Sequence, residues 1–378
     1  TYNQRNREIE RRIVLKVIRQ IKVYSPNFLG VKDILLAGGK ILALEDHLQL
    51  DTNVAVEEID GTGLICTPGF IDCHFHILGG GGEGGYENRT PEVRLSQLTS
   101  AGVTTVVGCL GTDGVGRDMT ALISKARGLE KEGVSTYLYE GSYRLPLDPV
   151  TDSIIKDFLT IDKIIGIGEI ALSDHRSSQP TFEEFARAVS DCRVGGLLSG
   201  KAGIVNIHLG SGKQKIDYLW KILEETDIPV RQFLPTHANR NEALFAECIQ
   251  FAIAGGVIDF TASEDPDFWE REDGEVSFAK GLKQLLASGA PIDSFTMTSD
   301  GQGSLPLFDE NNNFKGLGVG SAKSLLVALK DAVFNQEIPF EIALRAVTVN
   351  PARVLKLTQK GEISVGKDAD LCFLDENT

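Results

Sequence analysis

Eight apolar, β-branched runs alternate with helix-like segments along the middle of the chain, and this order restricts the fold more than any other feature. The runs are LICTPGFIDCHFHI, TTVVGCL, STYLYEG, KIIGIGEI, GIVNIHL, FLPTHAN, GVIDFTAS and SFTMTSDG. Short continuous apolar runs are typical of parallel strands buried on both faces. Helix-ending glycines, Gly102, Gly133 and Gly255, precede several of the runs. We predict an α/β fold with a (β/α)8 TIM-like barrel over residues 67–349. A doubly wound sheet is the rival, but no phosphate-binding fingerprint follows the first strand.

The two ends of the chain differ from its middle. Residues 12–66 and 360–374 carry short strand-like runs and turns without a convincing helix. Because chain termini often lie close together, we predict one small β-sandwich domain, built from residues 1–66 and from a return over residues 350–378. The N-terminal segment is locally basic, as a transit peptide would be, but Val14–Val23 alternates like a strand. The sequence stops soon after the apolar run ADLCFL, which resembles a sheet left incomplete, and the sequence alone does not decide whether the chain is a fragment there.

Charge, hydropathy and cysteine spacing exclude several kinds of partner. A net charge of −15 over 378 residues argues against binding to nucleic acid phosphates. No stretch approaches the roughly 20 apolar residues that span a bilayer, so no membrane association is expected. The six cysteines are scattered without a CxxC pair, which predicts reduced thiols in a cytoplasmic protein.

Metal-ligating residue types collect at the ends of the predicted strands. They are His74 and His76 on the first strand, Glu169 on the fourth, His208 on the fifth, His237 on the sixth and Asp300 on the eighth. A (β/α)8 barrel gathers these strand ends at one mouth, and the two imidazoles of an HxH pair point to the same side of a strand. Imidazoles with carboxylates bind Zn²⁺ or a similar ion. The pattern predicts a paired-metal site that polarises a carbonyl and holds a hydroxide.

Each of these residues has a simpler interpretation when it is taken alone. A buried histidine is more often a hydrogen-bonded core residue than a ligand, and Asp300 precedes a glycine, as turn-forming aspartates do. His47 and His175 are predicted to be structural or exposed. The run GGGGEGG at residues 79–85 has neither GxGxxG spacing nor the lysine of a P-loop. We interpret it as a flexible loop that presents Glu83.

Several motifs resemble the amidohydrolase superfamily. They are TPGFIDCHFHI, AGVTTVVG and TVNPARVLKLTQKGEISVGKDADL. A second set is similar to isoaspartyl dipeptidases within that superfamily: GGGGEGG, GTDG, GSYRLP, SDHRSSQP, RVGGLLSGK, LPTHANRN and SDGQGSLPLFD. The resemblance covers nearly the whole chain. It implies an enzyme that hydrolyses β-aspartyl dipeptides with two divalent metal ions, with zinc expected and cobalt or manganese as alternatives.

The resemblance also implies metal-binding and catalytic roles. The implied ligands are His74, His76 and Asp300 for one metal, and His208 and His237 for the second. Asp300 would take a proton from a bridging hydroxide and pass it to the leaving amine. Tyr143 of GSYRLP would stabilise the oxyanion with its phenol.

The implied substrate contacts are charged or polar. Glu83 would bind the α-ammonium of the isoaspartyl unit, and Thr112 and Arg240 would hold its α-carboxylate. Arg176 and Ser304 would reach the carboxylate of the departing residue; guanidinium groups suit carboxylates because they bind them through two parallel hydrogen bonds. By resemblance we also expect a homo-oligomer. The alternatives are another amidohydrolase, such as an N-acyl-amino-acid hydrolase, and a non-catalytic, metal-poor binding protein.

Glu169 departs from the family pattern. The family has a lysine there that reacts with CO2, and the resulting carbamate bridges the metals. No carbamylated lysine is expected here, because Lys163 and Lys201 lie at the entries of their strands. Glutamate has the same charge but falls about 3–4 Å short, although Gly166 and Gly168 would permit unusual backbone paths. Either Glu169 bridges two metals directly, or one site is weak or empty and Glu169 binds a single ion or a water.

Overall fold

A computed structural model describes residues 15–308 and 314–375, which divide into two compact units. In the described residues, the first unit consists of residues 15–69 and 358–375, and the second lies within Phe70–Leu357. The strands are β1 (Leu15–Tyr24), β2 (Phe28–Ala37), β3 (Lys40–Glu45), β4 (Val56–Asp60), β5 (Leu64–Pro68), β6 (Phe70–Phe75), β7 (Val103–Gly108), β8 (Ser135–Glu140), β9 (Ile164–Leu172), β10 (Ile204–Leu209), β11 (Phe233–Thr236), β12 (Ile258–Thr261), β13 (Phe295–Thr298), β14 (Ser304–Phe308), β15 (Phe314–Val319) and β16 (Leu371–Asp375). The α-helices are α1 (Leu95–Thr99), α2 (Met119–Glu132), α3 (Ile154–Thr160), α4 (Phe182–Ser199), α5 (Asp217–Glu225), α6 (Glu242–Ile253), α7 (Pro266–Asp273), α8 (Phe278–Ala287), α9 (Ser324–Lys330), α10 (Phe340–Leu344) and α11 (Val349–Val354).

The first unit contains a six-stranded sheet in the order β16-β5-β1-β2-β3, with β4 beside β1. The sequence predicts a strand over Val14–Val23, and β1 confirms it. Val14 itself lies outside the described residues. Strand β16 pairs antiparallel with β5. Alternate residues of β1, such as Ile21 and Val23, are buried against Ile34 and Ile41, so one face of the sheet forms the core of this unit. The predicted sandwich stays a prediction.

The second unit contains a six-stranded parallel sheet in the order β11-β10-β9-β8-β7-β6, and a parallel pair β12-β13. Every residue of β6, β9, β10 and β11 is buried, as the continuous apolar runs indicate. Helices lie between successive strands, so the α/β class is confirmed. Two backbone contacts connect the pair β12-β13 to the six-stranded sheet. A parallel bridge joins Phe75, the last residue of β6, to Gly301, just after β13. The backbone N–H of Ala238, just after β11, donates to the carbonyl of Asp259 in β12 at 3.1 Å.

The helices begin and end where the sequence carries capping residues. Thr181 and Glu184 form a capping box at the start of α4, in which each side chain accepts a hydrogen bond from the other residue's backbone N–H. Gly133 follows α2 with a φ of 107°, a left-handed conformation that glycine adopts without strain. Among the described residues, no helix has the length and apolar character needed to cross a membrane.

Strand β9 differs from its sequence prediction. The sequence predicts Glu169 at the end of the strand, but β9 continues to Leu172, because Ile170 and Leu172 are apolar and buried. Glycines bring this strand close to β10: a Cβ atom at Gly168 would lie 2.5 Å from the carbonyl oxygen of Asn206. Gly168 also has a φ of 138°, so the unusual backbone path expected there is present.

Candidate metal centre and its cavity

The six predicted metal ligands come together at the carboxyl ends of the parallel strands. Two sets of buried donors share Glu169: the first is His74, His76, Cys109 and Glu169, and the second is Glu169, His208 and His237. Within each set, the donor atoms lie within 4.8 Å of one another. The shared carboxylate is therefore the feature that links the two sets.

Glu169 lies between two pairs of imidazoles. Its Oε1 atom is 2.5 Å from His208 Nδ1 and 3.4 Å from His237 Nε2. Its Oε2 atom is 3.4 Å from His74 Nε2 and 3.6 Å from His76 Nε2. Despite the shorter side chain, each carboxylate oxygen of Glu169 therefore reaches one histidine pair.

Asp300 approaches the first histidine pair from the end of β13. Its Oδ1 atom is 3.1 Å from His76 Nε2 and 3.6 Å from His74 Nε2. Asp300 has a φ of 47°, in the left-handed region that aspartate tolerates better than most residues. The first pair thus has a carboxylate oxygen on each side, one from Glu169 and one from Asp300.

Hydrogen bonds on the outer ring nitrogens orient three of the imidazoles. The partners are Asn206 Oδ1 for His74 Nδ1 (2.9 Å), Asp174 Oδ2 for His208 Nε2 (3.1 Å) and Thr261 Oγ1 for His237 Nδ1 (2.6 Å). A metal-binding histidine commonly uses one nitrogen for the metal and the other for such a partner. The other ring nitrogen of each of these three imidazoles faces Glu169.

The residues around the first histidine pair fit a divalent metal ion. Two ligands at 2.0–2.2 Å from one ion are separated by about 3–3.6 Å, and the distances from His74 and His76 to the two carboxylates fall in that range. Glu169 Oε2 is buried and has no hydrogen-bond partner among the described residues. A buried carboxylate oxygen without a donor is costly unless a cation lies beside it.

The charges of the site agree with this fit. Burial opposes ionisation of Glu169, but the imidazoles of His74 and His208 hold its pKa well below the usual value. Burial likewise opposes ionisation of Asp300, whereas hydrogen bonding to His76 lowers its pKa to about 2. Burial raises the pKa of Tyr143 well above its ordinary value, and the charge of Glu169 adds to this effect. The phenol therefore keeps its proton at neutral pH.

A cavity of about 1100 Å³ opens above the metal centre. It is lined by Tyr143 and by all five predicted substrate-binding residues, Glu83, Thr112, Arg176, Arg240 and Ser304. Tyr143 Oη lies 2.9 Å from His208 Nδ1, so the phenol reaches the edge of the metal centre. The volume is ample for a dipeptide.

The charged groups of the cavity contact one another. Glu83 Oε1 accepts hydrogen bonds from Arg176 Nη1 at 3.1 Å and from Ser304 Oγ at 3.2 Å. Arg176 is also held by Asp174, through Nε–Oδ1 and Nη2–Oδ2 contacts of 3.0 and 2.9 Å. Arg240 donates through Nε to the carbonyl of Leu209 at 2.8 Å. The two guanidinium groups place positive charge in a chain of net charge −15.

Sequence reasoning missed four residues of this site, namely Cys109, Asp174, Asn206 and Thr261. Asp174 lies in the SDHR motif, and Cys109 directly follows a strand, which is the signal that identified the histidines. Asn206 carries no such signal because it lies inside β10, and Thr261 ends β12 but is not one of the metal-ligating residue types. The two lysines considered as substitutes for the carbamylated lysine make other contacts: Lys163 donates a hydrogen bond to the hydroxyl of Thr136, and Lys201 donates one to the carbonyl of Phe158. His47 and His175 are exposed, with side-chain exposures of 72% and 90%.

The fold and the site together define a metal-dependent hydrolase of the amidohydrolase type. A model of the family described as "Amidohydrolase family" matches residues 65–378, and the chain belongs to that family. The predicted resemblance is thereby confirmed, and the family's dependence on metals agrees with the candidate centre.

Solved structures give the more particular similarity. A β-aspartyl dipeptidase from Fervidobacterium islandicum AW-1, crystallised with β-Asp-Leu, is 46% identical; the match covers 97% of this chain and 93% of that one, with a TM-score of 0.90. A second structure of a β-aspartyl dipeptidase from that organism is 44% identical, covers 96% and 93% of the two chains and has a TM-score of 0.87.

More distant relatives carry other names. A curated protein from Brucella anthropi named "Deacetylase" is 26% identical over 91% of this chain and 79% of its own length. The N-acetylglucosamine-6-phosphate deacetylase of Pasteurella multocida is 16% identical over 96% of both chains, with a TM-score of 0.61, and shares the fold.

Proposed function

We propose that this chain is a metal-dependent dipeptidase that hydrolyses β-aspartyl (isoaspartyl) dipeptides. The observation that carries the proposal is one cavity in which a His/carboxylate metal centre adjoins Glu83, Arg176 and Arg240. An isoaspartyl dipeptide offers one ammonium and two carboxylates, which is the complement of those three charges. The 46% identity to a β-aspartyl dipeptidase crystallised with β-Asp-Leu supports the same substrate class.

The proposed cofactor is a pair of divalent metal ions, with zinc expected. The proposed ligands are His74, His76 and Asp300 for one ion, His208 and His237 for the second, and Glu169 for both. When bound, the metals would polarise the amide carbonyl and supply a hydroxide at neutral pH. Glu169 takes the place of the carbamylated lysine, and the 3.4 Å distances from Oε2 to His74 and from Oε1 to His237 support this. The 2.5 Å contact between Oε1 and His208 Nδ1 is a direct hydrogen bond, which the second ion would have to replace.

Asp300 and Tyr143 are proposed to perform the proton transfer and the oxyanion stabilisation. A pKa of about 2 keeps Asp300 ionised at neutral pH, so it can accept the proton of the attacking water. It then delivers this proton to the leaving amine. Tyr143, whose pKa is raised by burial, stays protonated and donates a hydrogen bond to the oxyanion.

The remaining polar residues of the cavity are proposed to orient the dipeptide. Glu83 binds the α-ammonium, and Thr112 and Arg240 bind the α-carboxylate of the isoaspartyl unit. Arg176 and Ser304 bind the carboxylate of the departing residue. In the structure, Glu83 accepts hydrogen bonds from both Arg176 and Ser304. Substrate binding therefore replaces these hydrogen bonds within the protein by hydrogen bonds to the substrate.

The architecture proposed with this function is a closed (β/α)8 barrel and a small β-sandwich domain, predicted over residues 67–349 and over residues 1–66 with 350–378. The two compact units described above divide after Gly69 and after Leu357 instead. The bridge between Phe75 and Gly301 supports closure of the barrel, because it joins the first strand to the segment after the eighth. A cytoplasmic homo-oligomer without nucleic acid or membrane partners stays a prediction.

Hydrolysis of N-acyl amino acids is the second candidate function. The similarity to curated deacetylases over 91% of the chain favours it. An N-acyl amino acid has one carboxylate and no ammonium, so it would leave Glu83 and one of the two arginines without a partner. The charge pattern of the cavity therefore favours the dipeptide.

A comparison of three substrates tests the proposal. We expect turnover of β-Asp-Leu, with little or no turnover of α-Asp-Leu or N-acetyl-leucine, when all three are assayed on one sample of known metal content. Cleavage of the α-linked peptide alone would contradict the substrate assignment. Cleavage of N-acetyl-leucine alone would establish the second candidate.

A substituted substrate tests the role of Glu83. We expect Glu83→Gln to raise KM for β-Asp-Leu by about tenfold or more, because one charge-assisted hydrogen bond contributes about 1.5–3 kcal/mol. With the N-acetylated peptide, which has no ammonium, wild type and variant should differ little. Equal losses on both peptides would show that Glu83 does not bind the ammonium.

A further inference from the structure

We infer that Cys109 supplies a sulfur ligand to the metal ion between His74 and His76. The inference deepens the proposed function and rests on it, since it concerns the composition of the same metal centre. None of the ligands implied by the family resemblance is a cysteine. The sulfur would make the first ion's site chemically different from the second.

Strand pairing places Cys109 beside the two histidines. It directly follows β7, which pairs in parallel with β6, where Phe75 is opposite Gly108. The pairing continues one residue further, because the backbone N–H of Cys109 donates to the carbonyl of Phe75 at 3.0 Å. Cys109 is therefore fixed next to the HxH segment by backbone hydrogen bonds, independently of its side chain.

The position of the sulfur is that of a ligand. Cys109 Sγ lies 3.6 Å from His74 Nε2, the ring nitrogen that faces both carboxylates. With Zn–S near 2.3 Å and Zn–N of 2.0–2.1 Å, a tetrahedral angle separates the sulfur and nitrogen by about 3.6 Å. The donor atoms of Cys109, Glu169 and both histidines also lie within 4.8 Å of one another.

A plain core cysteine is the competing explanation. Cys109 has no exposed surface and packs in an apolar cluster with Ile71 and Val107. Cys73 of the same cluster shows what such a thiol does: its sulfur donates to Asp259 Oδ1 at 3.5 Å. Cys109 Sγ instead faces imidazole nitrogens: it lies 3.6 Å from His74 Nε2, which faces the carboxylates, and 3.8 Å from Nδ1 of His76, whose Nε2 faces them.

Binding of the Cys109 sulfur to the metal requires loss of the thiol proton and changes which metals the site prefers. The S–H bond breaks, a sulfur–metal bond forms, and the proton leaves to solvent, so no oxidant or reductant is needed. A thiolate is a soft ligand that favours zinc and cobalt over manganese. Cys109 should therefore narrow the choice of metal in a site whose other ligands accept several divalent ions.

Cobalt substitution tests the inference spectroscopically. We expect the Co²⁺-loaded full chain to show a thiolate-to-cobalt charge-transfer band in the near ultraviolet. Cys109→Ala should abolish the band, whereas Cys248→Ala, which removes a buried thiol of α6, should retain it. The ratio of Zn²⁺ to Mn²⁺ affinity should fall by about tenfold or more in Cys109→Ala and stay unchanged in Cys248→Ala.

Two results would overturn the inference: no such band in the cobalt-loaded wild type, or the same band in Cys109→Ala. If Cys109→Ala fails to fold, Cys109→Ser replaces it, since serine keeps the size without the sulfur. The dipeptidase proposal is judged separately. Hydrolysis of β-Asp-Leu without the band refutes only the sulfur ligand, and the band without hydrolysis refutes only the substrate.

Discussion

Two fully buried glutamates on neighbouring strands have opposite electrostatic surroundings. Glu140 is the last residue of β8 and Glu169 lies in β9, and neither has exposed surface. Burial raises the pKa of Glu140 to about 9, and the nearby carboxyl group of Asp157 adds to this effect. Glu169 is equally buried, but the imidazoles of His74 and His208 hold its pKa well below the usual value.

The difference shows what burial alone does to a carboxyl group. Without a cation nearby, Glu140 keeps its proton at neutral pH and avoids the cost of a buried charge. Glu169 stays ionised in the same sheet because its surroundings favour the charged form. A buried carboxylate that remains charged thus marks a site built for cations, whereas a protonated one belongs to the packing of the core.

Replacing the charged glutamate should have the largest effect. We expect Glu169→Ala to lower kcat/KM for β-Asp-Leu by about 10³-fold or more, because metal catalysis contributes several kcal/mol to the barrier. Metal content should fall in parallel. Steady-state kinetics and metal analysis on the same sample measure both effects.

Glu140→Gln is the matched control for Glu169→Ala, since it alters a carboxyl group of equal burial outside the cavity. Its activity and metal content at neutral pH should stay within a few-fold of wild type. Full activity with both metals in Glu169→Ala would refute the bridging role of Glu169.

Asp174 is a third buried carboxylate, and it contacts both a predicted metal ligand and a predicted substrate-binding residue. Replacing it tests whether its charge holds these two side chains in position. It accepts hydrogen bonds from Arg176 and contacts His208 Nε2 at 3.1 Å. Losing such a partner of a metal-binding histidine typically costs 10–100-fold in metal affinity or activity. We expect Asp174→Asn to lower the affinity for the second metal and to raise KM, because Arg176 loses its support.

The neighbouring substitution His175→Ala is the control for Asp174→Asn, since His175 is exposed. Isothermal titration of metal-free protein and KM measurement separate the two effects. If neither metal affinity nor KM changes in Asp174→Asn, the carboxylate does not position these residues.

The protonated glutamate predicts a pH dependence of stability. The pKa of Glu140 is raised from 4.5 to about 9, so the folded protein holds a proton that the unfolded chain releases. Its contribution to stability is complete below about pH 4.5 and is lost as the pH rises toward 9. The amide introduced by Glu140→Gln cannot titrate, so the stability of this variant relative to wild type should rise by a few kcal/mol from pH 5 to pH 9.

Thermal melts of Glu140→Gln and wild type at pH 5, 7 and 9 check this prediction. Asp157, whose pKa is lowered from 3.8, contributes a change of opposite sign only at more acid pH. A difference in melting temperature that is independent of pH would show that Glu140 is ionised in the folded protein.

The smallest expected effect concerns carbon dioxide. Since Glu169 needs no carbamylation, removal or addition of bicarbonate should leave activity and metal content of wild type unchanged. Reconstitution of metal-free protein with and without bicarbonate measures this. Activation by bicarbonate would show that a carbamylated lysine acts in the site.

The strand runs and the positions of the histidines could be predicted from the sequence, because each signal is local. Apolar runs predict buried strands, and polar residues at their ends meet at one edge of the sheet. His74, His208 and Asp300 were found in this way. The end of β9 was misplaced because the charge of Glu169 resembled a strand terminus, whereas the apolar residues beyond it continue the strand.

Other features could not be predicted because they depend on pairing between strands. Asn206 orients His74 from a strand far along the chain, and Asp157 raises the pKa of Glu140 from a helix. The reach of Glu169 depends on how closely β9 approaches β10, which the glycines permit but do not specify. Such contacts follow from register and side-chain direction, which no local pattern records.

The most direct test of the account is metal content measured against activity. Metal-free wild type is titrated with Zn²⁺ while turnover of β-Asp-Leu is followed. We predict that activity reaches its maximum at two ions per chain, because Glu169 serves both histidine pairs. Full activity at one ion per chain would contradict the shared carboxylate as the centre of a two-metal site.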